Sequence, residues 1–213
     1  MKQIILSLLL ALICMPSVAQ ETKLPAPNKN RGLALTKALS VRRSVREFSP
    51  KMLSRQDLSD LLWSAAGINN KEGRRTAPSA LNLQDVTVYV FTETGVAEYI
   101  PTTHSLKTIV TGDHRQLVAG QQNFVMTAPV SLVLVSDLTK FQKGDTTKEP
   151  DKRSYMMGSV DVGNVSENIN LFCAATGLST VPRASMDSEG IQKLLHLTPY
   201  QLPIMNNPVG YKK

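Results

Sequence analysis

Residues 54–67 spell out one amphipathic helix with both of its ends marked. Ser54 is placed to cap it, and Asp57 stands three residues on, at the spacing of a capping box. Leu58, Leu61, Leu62, Ala65 and Ala66 recur at i, i+3, i+4, i+7 and i+8, which is a single apolar face. Gly67 is expected to stop the helix in the left-handed conformation. A helix this one-sided has to be buried against a second layer. Two β-branched runs offer one, Val86 to Phe91 and Val130 to Val135 behind Pro129.

Other helices follow the same logic. One is expected over Leu33 to Leu39, and a long one over Tyr155 to Thr176, where Val165, Ile169, Phe172 and Cys173 keep helical spacing and Gly177 closes the run. Ile191, Leu194 and Leu195 mark a shorter helix before Pro199, and Ile204 to Tyr211 reads as a last extended segment. The result is a mixed α and β chain, with strands too few and too unevenly spaced for a sandwich or a barrel. Its 213 residues suffice for one domain with a full core. At 42% hydrophobic, the chain is not of the disordered class.

The first residues read differently from the rest. Lys2 is a positive start, Ile4 to Ile13 is an apolar run, Pro16 ends it, and Ser17-Val18-Ala19 offers small residues for cleavage. Residues 1–19 are therefore expected to be a signal peptide, and the remainder an exported protein, periplasmic or extracellular. Cys14 leaves lipidation open, although Ile13 precedes it where a small residue is wanted. Residues 20–32 are polar and contain Pro25 and Pro27, which suggests a leader that lets the domain, residues 33–213, stand away from the export site. Beyond the signal, Cys173 is the only cysteine, so the fold rests on a core and not on an internal disulfide. No run reaches the roughly 18 to 20 apolar residues of a membrane-spanning helix.

The formal net charge of +7 points to anionic partners. Nucleic acid fits poorly, since Phe, Tyr and Trp number only 5, 5 and 1 and no basic tail or basic-aromatic interleaving is present. There is no GxGxxG after a strand, no GxxxxGK[ST] and no GxSxG. His104, His114 and His196 have no partner at ligand spacing, so no metal site is expected. Cys173 falls on the apolar face of the long helix, as a structural thiol does.

Three segments remain. Arg42-Arg43-Ser44-Val45-Arg46 gathers three guanidinia and a hydroxyl, either to hold a phosphate through planar, charge-assisted forks or as a solvated basic face. In Arg74-Arg75-Thr76-Ala77-Pro78-Ser79-Ala80-Leu81-Asn82-Leu83-Gln84, small residues let a flat ligand approach the backbone beside paired donors and acceptors, unless it is an ordinary polar loop. In Gly177 to Ser185 a helix ends and a small-residue turn follows, leaving N–H groups to face a ligand or simply to lead into a strand.

Taken in order, these segments resemble the FMN-dependent nitroreductase family, in wording nearest its SagB-type dehydrogenase branch. The likeness rests on Arg42 to Phe48, Leu61 to Asn69, Arg75 to Ala80, Asn170 to Leu178 and Pro208 to Tyr211. It implies an α+β fold with a central, mostly antiparallel sheet packed by helices, in a homodimer with FMN at the subunit boundary. By that resemblance Arg42, Arg43, Ser44 and Arg46 hold the phosphate and ribityl chain. Pro78, Ser79, Ala80 and Asn82 reach the flavin ring from the other subunit, and Pro182, Arg183, Ala184 and Ser185 lie beside it. Lys212 or Lys213 is a further phosphate ligand. The implied activity is hydride transfer through the flavin N5 to or from a small organic molecule, with ping-pong kinetics and NAD(P)H as a possible donor. No side-chain acid, base or nucleophile is then required. The alternative is an exported flavin-binding or electron-carrier protein without turnover of its own.

Overall fold

The computed structural model describes residues 21–143, 145 and 147–213; the expected signal segment, with Cys14, lies outside them. Seven strands form one sheet: β1 (Glu21–Lys23), β2 (Val86–Thr92), β3 (Gly95–Ile100), β4 (Ser105–Thr111), β5 (Val130–Asp137), β6 (Leu178–Thr180) and β7 (Gln201–Tyr211). Their order across the sheet is β1-β4-β3-β2-β5-β7-β6, and every pairing is antiparallel. The helices are α1 (Leu35–Val41), α2 (Arg55–Ala66), α3 (Arg115–Ala119), α4 (Lys152–Thr176) and α5 (Ser188–Leu194).

The sheet is covered on both faces, which is why β2 and β5 read as mostly apolar runs, broken inside Val86–Phe91 and Val130–Val135 only by Thr87 and Ser131, and not as alternating ones. Val86, Val88 and Val90 of β2, with Val130, Leu132 and Leu134 of β5, pack beneath α2 and α4. Tyr89, Phe91, Val133 and Val135 face the other way, onto α3, α5 and the short 3₁₀ turn Asn123–Thr127. Strands β3 and β4, which sequence patterning did not reveal, extend the sheet outward from β2. Their side chains alternate with Glu98, Lys107 and threonines, so their apolar signal is diluted.

Helix α2 forms as its sequence dictates, with Ser54 Oγ accepting the Asp57 N–H at 3.0 Å. Its end differs from expectation. Gly67 is extended, at φ −72° and ψ 165°, not left-handed. Glycine is required there for closeness: a Cβ would lie 2.3 Å from Trp63 Cδ1 and 2.7 Å from the Trp63 carbonyl oxygen. Helix α4 does end on a left-handed glycine, Gly177 at φ 77°. Helix α1 begins and ends two residues later than the spacing predicted.

The segment 20–32 does not hold the domain at a distance. Residues 21–23 pair with β4, and Arg55 Nη2 donates to Lys23 O at 3.0 Å. Ser59 Oγ donates to Pro25 O, and the Asn28 N–H to Asp60 Oδ1 at 2.7 Å. Arg31 Nη1 sits 2.7 Å from Asp57 Oδ1 and 2.9 Å from Asp60 Oδ2. Polar composition suggested solvation, but here the polar groups bind the polar side of α2.

Candidate functional site

The arginine cluster begins where α1 stops. Arg42 takes the C-cap position, its N–H still bonded to Ala38 O, and the chain then turns extended. Val45 N–H donates to Thr180 O and Ser49 N–H to Tyr211 O, each at 2.9 Å, while Phe48 bridges Lys212. These ties bring Arg43 and Lys212 to one cleft of about 230 Å³, walled by Val45, Ser179, Thr180 and the C-terminal half of α4. Arg43, Ser44 and Arg46 are exposed and Arg42 half-buried. Arg43 Nη1 donates to Arg42 O at 2.8 Å, which leaves the rest of its fork free. None of the three guanidinia forms an ion pair among the described residues, and neither does Lys212. Cations without carboxylate partners beside a cleft are a donor set for an oxyanion. Of the two terminal lysines, Lys213 lines a different cleft, with Phe48, Arg115 and Pro129.

The turn after β6 lies at the same end of the molecule. The N–H and C=O of Arg183 both pair with Asn206 of β7, at 2.9 and 2.7 Å, so this part of the turn is fixed by the sheet. Ala184 and Ser185 are exposed and Pro182 half-buried. The Arg183 side chain points inward, so what this residue can present toward a ligand is its backbone. Nε donates to Gln122 Oε1 at 3.0 Å, Nη1 to Asn206 Oδ1 at 2.6 Å and Val118 O at 3.1 Å, and Nη2 to Ala119 O at 3.2 Å. Burial, and then the charge of Arg46, hold its pKa below the usual guanidinium value. What Arg183 offers a site is support for the turn.

The third segment stands elsewhere. Pro78 and Asn82 are exposed, whereas Ser79 and Ala80 are half-buried and already bonded. Ser79 Oγ accepts the Gln84 N–H at 2.8 Å, and Ala80 N–H donates to Asp161 Oδ2 at 2.7 Å. The Ser79 hydroxyl thus shapes its own loop. Asp161 and Cys173, which marks the arginine cleft, are 12 residues apart on α4. At 1.5 Å per residue that is about 18 Å along the helix. One chain therefore carries the arginine cleft and this loop at two separate places.

Sequence reasoning missed the polar groups beneath both places. Asp161, Ser166 and Asn170 interrupt the apolar stripe of α4, which was the available signal. Asn207 Nδ2 donates to Asn170 Oδ1 at 3.1 Å, and Ser166 Oγ to Asn207 Oδ1 at 2.9 Å, a buried network behind the arginine cleft. Cys173 is buried, and burial pushes its thiol pKa up.

The sequence model of the Nitroreductase family matches residues 39–211, a span that includes all three segments. The chain belongs to that family. A protein of Methanocaldococcus jannaschii described as a nitroreductase, MJ1384, is 32% identical over 192 residues, covering 84% of this chain and 92% of the relative. The crystal structure of a nitroreductase-like protein from Ralstonia eutropha superposes with a TM-score of 0.82 at 31% identity, over 93% of this chain and 92% of that one. A Staphylococcus epidermidis protein described as an NAD(P)H:FMN oxidoreductase shares the fold, with a TM-score of 0.62 at 15% identity over 88% of this chain and 91% of that one. This nitroreductase-family chain is accordingly an oxidoreductase by kinship, and its antiparallel sheet with helices on both faces is the family fold.

Proposed function

We propose that the chain binds FMN and moves hydride between a donor and a small organic acceptor that use one cleft in turn. Meeting of Arg43 with Lys212 at a cleft, both free of carboxylate partners among the described residues, carries this reading. The donor set fits a phosphate: planar forks from Arg42, Arg43 and Arg46, a point charge from Lys212, and hydroxyls from Ser44, Ser179 and Thr180. When bound, FMN supplies two-electron chemistry at its N5. The protein's part is to anchor the phosphate, to place Pro182, Ala184 and Ser185 along one side of the ring, and to exclude water.

The 18 Å offset along α4 supports a homodimer. Pro78, Ser79, Ala80 and Asn82 of one subunit would complete the site whose cations come from the other. Apolar residues stand ready for such an interface, with Leu35, Leu39, Met156 and Val160 all more than half exposed on α1 and α4. We place the chain nearest the SagB-type branch, on the wording of its motifs. We also read residues 1–19 as an export signal, which makes a donor other than cytosolic NAD(P)H the one to seek. Purified residues 20–213 should be yellow and release FMN near one per chain on heating. The Arg42→Ala/Arg43→Ala protein should lose most of it, since each charge-assisted bond contributes about 1.5 to 3 kcal/mol. Full occupancy in that variant would refute the phosphate assignment, and a monomer that holds FMN would refute the shared site.

A further inference from the structure

The loop from Pro78 to Asn82 is held from below by two acids that the cofactor reading leaves without a role. Asp85, just before β2, and Asp161, on α4, are 0% and 2% exposed. Asp85 Oδ2 accepts from Ser136 Oγ at 2.5 Å, and its Oδ1 faces the Ser79 hydroxyl at 3.4 Å. Asp161 Oδ2 accepts the Ala80 N–H. The two acids thus meet adjacent residues of one loop, Asp85 at Ser79 and Asp161 at Ala80, and the charge of Asp161 bears on Asp85. Two acids buried beside one loop stand together only if one of them keeps its proton. No cation stands in for it, because neither acid has an ion-pair partner among the described residues.

The surrounding charges are engaged elsewhere. Arg75 donates to Val86 O at 2.7 Å, and Lys140, from the 3₁₀ turn Leu138–Gln142, donates to Gln84 O at 2.9 Å. Arg75 feels the charge of Asp85 but does not pair with it. From β5 the neighbour is the uncharged Ser136. Two carboxylates shut away from water beneath one loop cannot both ionise without a large penalty.

What rests on this pair is strained backbone. Leu81, Asn82 and Gln84 have φ of 55°, 55° and 51°, the left-handed region that side chains with a Cβ avoid. The helix that supplies Asp161 comes close only because residue 158 is glycine. A Cβ there would lie 2.5 Å from Ser136 Oγ and 2.6 Å from Leu138 Cδ2.

The geometry points to Asp85 and Asp161 as positioning residues: with a proton kept on Asp85, they hold the loop, through the Ser79 hydroxyl and the Ala80 amide, in the shape that turns Pro78 and Asn82 outward. The role of that loop at the cofactor rests on the function proposed above; the acid pair itself does not. With the proton in place the pair carries one charge and the clamp is closed. Its loss sets two anions beneath the same loop and loosens it. Burial first, and then Asp161, push the pKa of Asp85 up to about 6. The folded chain thus keeps a proton that the unfolded chain gives up near pH 4, so this stabilisation is full below about pH 4 and is lost as pH rises through about 6.

The test compares the full chain with its Asp161→Asn and Asp161→Ala variants, with and without added FMN. Asparagine keeps an acceptor for the Ala80 N–H and gives Asp85 an N–H at every pH. Between pH 5 and 8, the melting temperature of the flavin-free wild type should fall by about 5 °C more than that of Asp161→Asn. In Asp161→Ala, hydrogen exchange at the Ala80 amide should quicken about tenfold at pH 5. FMN affinity, read by fluorescence quenching, should weaken more steeply with pH in the wild type than in Asp161→Asn. Equal pH slopes in wild type and Asp161→Asn, or unchanged Ala80 exchange in Asp161→Ala, overturn the clamp. A slope difference in a chain that takes up no FMN upholds the clamp and overturns the cofactor reading.

Discussion

Replacing Arg183 with methionine tests how the turn beside the arginine cleft is held. The guanidinium is buried with no carboxylate beside it among the described residues, so its charge is carried by carbonyl dipoles. Two of its acceptors, Val118 O and Ala119 O, are carbonyls at the end of α3, and a third, Asn206 Oδ1, is fully buried. Leaving these without donors costs about 1 to 3 kcal/mol each. Methionine fills much of the same volume and carries no charge to keep out of water, which offsets part of that loss. The net is about 3 kcal/mol, or roughly 6 to 12 °C in melting temperature for a domain of this size. Urea denaturation of wild type, Arg183→Met and Arg183→Lys would measure it, with lysine expected near methionine because an ammonium cannot reach four acceptors set around a planar fork. A methionine variant within about 0.5 kcal/mol of wild type would refute the reasoning. The buried charge would then be there for an anion on the Arg46 side, and FMN affinity, not stability, should drop.

Further outcomes follow from the packing. Arg31→Met strips the cation from Asp60, which is 1% exposed, and should cost about 2 to 3 kcal/mol by chemical denaturation. Adding Asp60→Asn should recover part of that loss, and a cost near zero would mean that residues 21–31 are not held by this pair. Cys173 should resist thiol reagents in the native protein and react only on unfolding, since burial raises its pKa; rapid labelling without loss of structure would contradict its placement.

The elements legible in the sequence were those whose pattern is local and one-sided. Ser54 with the apolar spacing behind it announced α2, and the β-branched runs announced β2 and β5. Strands β3 and β4 escaped because Glu98 and Lys107 break up their apolar faces, and β1 because three exposed residues carry no pattern at all. The candidate site divides in the same way. Clustered arginines show themselves in five consecutive letters. That Lys212 joins Arg43, or that Asp161 reaches an amide 81 positions away, depends on topology that no local window contains. The inward course of the Arg183 side chain was equally out of sight, because its acceptors at Val118, Ala119, Gln122 and Asn206 are all distant in sequence.

The position of β7 bears on how the chain is made. It lies between β5 and β6, and β6 has no other partner strand in the sheet. Synthesis at about 5 to 20 residues per second runs from the N-terminus, so β5 is complete several seconds before the strand that seals its open edge. Until residues 201–211 emerge, one edge of β5 stays bare and β6 has nothing to dock against. The half-made sheet is a sticky intermediate, and the cell must shield that edge or keep the nascent chain extended. Completion is all-or-none at the last strand. Because Lys212 follows that strand directly, the cleft with the arginines closes in the same event.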